Sequence, residues 1–261
     1  MYVLALPGAV LAGSEDGCKI KVGEDFVDMI TAPADWGTDE WLAFGAVGAV
    51  TTGLIIGGDE KMYRASVDSP DSFPYSIVHR VGWLGSWYGK NDINPLITFG
   101  VVVGGMWAVG EYNDDEYLVR TSAIAAESYL FTGAISILSK FLFGRSRPYT
   151  GKGAHDWRWV GRHRRDTRSF PSGHAASAFS MATAVAKRYT DWWVQVPAYT
   201  LATGAAFQRI DSGVHWASDV FVGAALGFAV STFLVQRHTC DDTRAGVGGA
   251  APTLVSFGFS F

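Results

Sequence analysis

The sequence predicts an all-α fold: a helical bundle of about six core helices with a short extended C-terminal tail. Three observations predict it. Five or six apolar segments, rich in Ala, Gly and Leu, run for 15 or more residues between polar breaks, a length that suits helix rather than strand. Across 261 residues, 48% are hydrophobic and 18% charged, which excludes a disordered chain, and the 31 glycines lack the period of three that collagen needs. No repeat of 20–50 residues appears, so the chain is not a solenoid array.

Taken in order, residues 1–13 are short, apolar and followed by Ser14, the pattern of a secretory signal segment without its basic start; residues 14–261 then form a single domain. Between Ser14 and Glu40 eight acids face Lys19 and Lys21, which reads as a solvated loop without chemistry. The first apolar segment spans Leu42 to Gly58 and is stopped by Asp59, Glu60 and Lys61. The second, Leu96 to Gly110, opens on Asn94-Pro95, a good helix start. The third runs from Tyr117 to Phe143 and carries Arg120, Glu127 and Lys140. The fourth begins at His174, the fifth spans Trp192 to Phe207 around Pro197, and the sixth spans Ala217 to Val235. The tail from Thr253 to Phe261 alternates loosely and reads as extended.

A membrane span needs about 20 mostly apolar residues, and these runs, the charge-bearing third apart, reach 15 to 19, so a membrane bundle and a soluble one both remain open. Their small residues suit close helix packing in either setting. In lipid, Glu127 must face the bundle interior. A net charge of −4 excludes a global basic field for nucleic acid. Cys18 and Cys240 fit no metal cluster; they form one long-range disulfide or remain separate thiols.

One stretch breaks the acidic trend: from Arg145 to Arg168, eight cations face only Asp156 and Asp166, in a loop placed to receive an anion. Three clusters flank it. Lys140 precedes Arg147-Pro148 by seven positions, two turns along one helical face, so that a point charge and a guanidinium fork converge as a phosphate clamp. Pro171-Ser172-Gly173-His174 opens an Ala/Ser helix: Ser172 caps it, Gly173 admits a ligand to the backbone, and the helix N-terminus attracts anions below His174. Arg209 precedes His215, and Asp219 follows four residues later, stacked on His215 to fix its tautomer and free Nε2 as a nucleophile. Each cluster alone has a bland reading: a cation neutralising helix-end carbonyls, an ordinary serine cap, a surface His–Asp pair.

The combination Lys-x6-Arg-Pro, Pro-Ser-Gly-His and Arg-x5-His-x3-Asp resembles the signature of the type 2 phosphatidic acid phosphatase (PAP2) superfamily, over a motif core of about residues 131–235. That group includes lipid phosphatases, bacterial acid phosphatases and vanadium haloperoxidases. One departure is Gln208 before Arg209, where the pattern usually has Ser. The resemblance implies that His215 attacks phosphorus and becomes phosphohistidine, with Asp219 orienting it. It implies that His174 protonates the leaving oxygen and then activates water, and that Lys140, Arg147, Ser172, Gly173 and Arg209 hold the phosphoryl oxygens. No cofactor or metal is implied. The expected function is hydrolysis of a phosphate monoester, a phosphorylated membrane lipid first and a small soluble ester second, with no nucleic acid partner. The expected location is the bacterial cell envelope: an inner membrane with the site facing the periplasm, or the periplasm itself. A haloperoxidase and a non-enzymatic membrane bundle are the remaining alternatives.

Overall fold

The computed structural model describes residues 20–69, 71–89, 91, 93–160 and 164–238. The expectations for residues 1–13, for Cys18 and Cys240, and for the tail from Thr253 to Phe261 lie outside the described residues, as does Arg162 of the basic stretch.

Among the described residues the fold is all-α, with one short hairpin. Helix α1 spans Val22–Thr31 and α2 spans Thr38–Gly53; a π-helical turn, Leu54–Gly58, joins α2 to α3, Asp59–Asp68. Then follow α4 (Tyr75–Leu84), the single turn α5 (Ser86–Gly89), α6 (Asn94–Tyr112) and α7 (Glu116–Leu142). Strands β1 (Phe143–Arg145) and β2 (Trp157–Trp159) pair antiparallel, with Gly144 opposite Arg158. The described residues end in α8 (Gly173–Arg188), α9 (Trp192–Asp211) and α10 (Ala217–His238).

Helix ends follow local chemistry. Pro95 lies in the first turn of α6, where its missing N–H costs nothing. The Asp115 carboxylate accepts the Leu118 N–H at 3.0 Å and caps α7. Three expectations are corrected. Residues 22–35 are helical rather than loop, because Asp25 is buried and accepts both the Lys21 N–H at 2.8 Å and the Arg237 guanidinium. Asp59 does not stop the first segment: the helical run continues from Thr38 to Asp68, since the Asp59 side chain is satisfied inside the protein. The basic stretch is partly a hairpin, with Phe143 set edge-on to Trp159 and Phe170.

Four helical runs are long and apolar enough to cross a membrane: Thr38–Asp68, Asn94–Tyr112, Glu116–Leu142 and Ala217–His238. Three of them, of 31, 27 and 22 residues, are longer than 19, and Glu127 inside the 27-residue run is buried against His238. Leu42, Phe44, Ile56, Val101, Ile137 and Leu138 point outward, exposed. Apolar side chains exposed on these helices fit contact with lipid.

Helix α8 is the centre, packed against α7, α9 and α10. Its Ala and Ser side chains, from Ala175 to Ala186, let three neighbours approach closely. On α10, Gly223 and Gly227 lie one turn apart against α8. A Cβ at Gly227 would sit 2.2 Å from the Ala176 carbonyl oxygen, and one at Gly223 would sit 2.4 Å from that of Ser172. Overpacking of this kind costs about 1–3 kcal/mol. Gly227→Val should therefore lower the thermal midpoint of the detergent-solubilised protein by several degrees. Gly133→Ala on α7, where a Cβ meets nothing within 4 Å, should leave it equal or higher. Equal midpoints for Gly227→Val and the unaltered protein would refute the tight seat.

Candidate active site

Four chain segments meet at one end of the bundle: the C-terminus of α7, the N-terminus of α8, the turn after α9 and the N-terminus of α10. The Lys140 ammonium donates to the Pro171 carbonyl, joining α7 to the loop before α8. The Ser172 N–H donates to the Asp219 carbonyl at 2.9 Å, tying the starts of α8 and α10 together. The His215 N–H donates to the Arg209 carbonyl at 3.2 Å, which folds the turn back on α9. The Tyr149 N–H reaches the Gly213 carbonyl at 3.2 Å and fastens the segment after Arg147 to the same turn. The motifs, separated in sequence, thus converge.

Asp219 is held by three hydrogen bonds. Its Oδ2 accepts the Ser169 hydroxyl at 2.5 Å and the Trp216 N–H at 2.9 Å; its Oδ1 accepts Nη1 of Arg145 at 2.6 Å. The Trp216 bond is the side-chain-to-backbone half of a capping box at the start of α10. Arg145, fully buried, uses all its donors: Nε and Nη2 on the Ala154 carbonyl at 2.9 Å, Nη1 also on Ser218 Oγ at 2.7 Å, and Nη2 also on Asp59 Oδ2 at 2.7 Å. Its guanidinium carbon lies 4.7 Å from the Trp157 ring and 5.5 Å from the Trp216 ring. Asp59 also accepts the Ser218 N–H at 2.8 Å and its hydroxyl at 2.6 Å. One buried cation thus holds two buried carboxylates, one of them beside His215.

Arg145, Asp59, Ser169 and Ser218 escape sequence reasoning. Arg145 looks like one more cation of a basic stretch that receives an anion; the structure corrects this, because it is buried and fully engaged. Asp59 looks like a helix stop. Only proximity in space marks them.

The sequence-predicted residues are placed as follows. Ser172 is the N-cap of α8 and accepts the Ala175 N–H at 3.5 Å. Gly173 opens the helix, and a Cβ there would meet nothing within 4 Å, so the backbone at this end stands clear. His174 places Nε2 3.1 Å from the Asn91 carbonyl and its ring edge-on to Tyr88 at 6.0 Å. Tyr88 is itself fixed at 2.6 Å to Ser177. Arg147 donates through Nε to the Arg165 carbonyl at 3.0 Å. Arg209 donates through Nη1 to the Gly89 carbonyl and to Gln208 Oε1 at 3.3 Å. Gln208, the departure from the pattern, thus lies against Arg209 itself.

Two spatial expectations are corrected. Arg147 shares no helical face with Lys140, because α7 ends at Leu142 and β1 intervenes, although both charges act on His215. His215 is not stacked on Asp219 along a helix, because it lies in the turn before α10. Its Nδ1 stands 3.7 Å from Asp219 Oδ2, beyond hydrogen-bond distance, and makes no other hydrogen bond.

Burial pushes the His215 imidazole down to about 3; Asp219 opposes this, and the charges of Arg147 and Lys140 add to it. The ring is therefore neutral at ordinary pH, the state a nucleophile needs. An unfolded histidine titrates near 6.5, so between about 6.5 and 3 the unfolded chain binds the extra proton. His215 thus favours folding above that window and loses the contribution as pH falls through it. Acidification from pH 7 to 4 should lower the thermal midpoint less in His215→Gln than in the unaltered protein. Parallel pH curves for the two would contradict this.

The groove lined by Val81, Gln195, Val196, Tyr199, Thr200 and Thr203 includes none of these residues and is not the site.

Comparison with known proteins fits the geometry. The PAP2 superfamily model matches residues 121–241, which include all three clusters. A lipid A 1-phosphatase of Porphyromonas gingivalis is 38% identical over 100 residues, which is 38% of this chain and 19% of that protein. The match therefore spans about a fifth of the length of this curated relative. No solved structure matches. The three clusters that converge at one end of the helices thus lie within the stretch, residues 121–241, that is similar to the PAP2 superfamily.

Proposed function

We propose that this chain is a phosphatase that removes the phosphate of a membrane lipid monoester through a phosphohistidine, at a bilayer surface of the bacterial envelope facing the periplasm. The observation that carries this reading is a neutral, buried His215 beside a rigidly held carboxylate, at the end of helices whose flanks expose apolar side chains. A lipid phosphate resides at the bilayer surface, the level that this end of the helices would occupy.

In this mechanism His215 Nε2 attacks phosphorus while the bond to the lipid oxygen breaks, and His174 passes a proton to that oxygen. As His215 becomes cationic, its Nδ1–H closes the 3.7 Å gap to Asp219, which the network of Arg145, Ser169 and Trp216 holds in place. Charge thus develops next to a carboxylate that needs no reorganisation. Water, deprotonated by His174, then attacks the phosphohistidine and releases phosphate. Lys140 has three donors, of which Pro171 takes one, and serves the phosphoryl oxygens with Arg147, Arg209, Ser172 and the N-terminus of α8. The surface arginines of the hairpin region, Arg158, Arg164 and Arg165, attract the anionic headgroup.

The activity of the Porphyromonas gingivalis relative makes a lipid A phosphate the first substrate to try. The test is phosphate release by purified protein in detergent, from lipid A, phosphatidic acid, phosphatidylglycerol phosphate and isoprenoid phosphate against small soluble esters. Release from a lipid above all soluble esters supports the reading. Preference for small esters moves the protein to the acid phosphatase branch, and release from none removes the enzymatic reading.

A further inference from the structure

At the end of the bundle remote from His215, three side chains from three helices converge in the interior. Asp25 comes from α1, Glu127 from the middle of α7 and His238 from the last turn of α10; each is no more than 2% exposed. Their potential ligand atoms all lie within 4.8 Å of one another. Nε2 of His238 is 3.2 Å from Glu127 Oε2 and 3.6 Å from Asp25 Oδ2. Glu127 lies about 20 Å along α7 from Lys140, and His238 about 28 Å along α10 from Asp219, at 1.5 Å per residue. The cluster is thus separate from the catalytic residues.

We propose that Asp25, Glu127 and His238 form a structural binding site for a divalent transition cation of the zinc type. Geometry is the first support. Four ligands about 2.0–2.1 Å from a tetrahedral ion stand about 3.3 Å apart, so the 3.2 and 3.6 Å separations need only small adjustments. The second support is an unmet acceptor: Glu127 Oε1 is buried and has no hydrogen-bond partner. A buried, unsatisfied carboxylate oxygen is costly, and a cation at this point removes the cost. Charge is the third. Asp25, Glu127 and the adjoining Asp28 outnumber Arg237, which pairs with Asp25 and with Asp28 at 2.5 Å. A neutral His238 and one divalent ion bring the group to balance.

The donor set selects the ion. One imidazole disfavours calcium and magnesium, which take all-oxygen shells, and two carboxylates disfavour soft monovalent copper. Three protein ligands leave a fourth position for water. An ion here would pin α1, held otherwise by contacts such as Phe26 edge-on to Phe131 at 5.1 Å, to α7 and α10.

The experiment uses the untagged, full-length protein in detergent, stripped with chelator and titrated with Zn2+. The expected result is one retained Zn2+ per chain by elemental analysis after gel filtration, a higher thermal midpoint with Zn2+, and reversal by chelator. Glu127→Gln and Asp25→Asn preserve side-chain size and should each weaken Zn2+ binding at least tenfold; circular dichroism checks that both fold. His215→Ala should retain Zn2+ in full. Absence of bound Zn2+ and of any midpoint shift in the unaltered protein would overturn the site, leaving the cluster an ion-pair triad. Undiminished Zn2+ binding in Glu127→Gln and Asp25→Asn would overturn it equally, by placing the metal elsewhere.

Discussion

His215→Ala forms no phosphoenzyme and loses at least about a thousandfold in turnover on every substrate, because the attacking nitrogen is gone. His174→Ala behaves differently, since attack by His215 can still proceed when the leaving group needs no proton. An aryl phosphate such as para-nitrophenyl phosphate should lose less in the phosphorylation step than an alkyl phosphate. Water activation is lost as well, so phosphohistidine accumulates in this variant. Rapid-quench labelling with radioactive phosphate reads the difference directly: label trapped in His174→Ala and absent from His215→Ala. The opposite pattern would exchange the two roles. The assignment rests on position, with His215 beside Asp219 in the turn before α10 and His174 in the first turn of α8.

Arg145→Met has the second largest expected effect, although Arg145 would touch no substrate. The substitution removes the cation between Asp59 and Asp219 and leaves two carboxylates buried without compensation. Breaking a buried pair in this way costs about 3–5 kcal/mol. The thermal midpoint should fall sharply, and whatever folds should turn over slowly because Asp219 has lost one of its anchors. Arg145→Met combined with Asp59→Asn should recover part of the stability, since one of the stranded charges is then gone. Turnover should recover less, because the anchor on Asp219 remains absent. Strict additivity of the two substitutions in the thermal midpoint would show that Asp59 and Arg145 do not act together.

The residues of the proposed chemistry are legible in the sequence for a simple reason. Histidine, lysine, arginine and aspartate carry their chemistry with them, and three clusters in a fixed order resemble the PAP2 signature by residue type and spacing. The same holds for α6 to α10: long apolar runs, Asn94-Pro95, Ser172 and the small residues of α8 are local signals of helix and close packing. Glu127 also had to face inward, as it does.

Tertiary structure decided what depends on a partner far along the chain. Asp59 meets Arg145 across 86 positions and ends no helix; Arg145 receives no anion because it is enclosed; Asp25 meets Arg237 across 212 positions and makes an apparently solvated acidic stretch helical. Lys140 and Arg147 lie on no common helical face, and both charges act on His215. A sequence reports each residue's own chemistry and its local periodicity. Whether a charge is solvated, buried or paired is a property of the packed interior, where the low dielectric makes an unpartnered charge so costly that the partner, wherever it lies in the chain, determines its role.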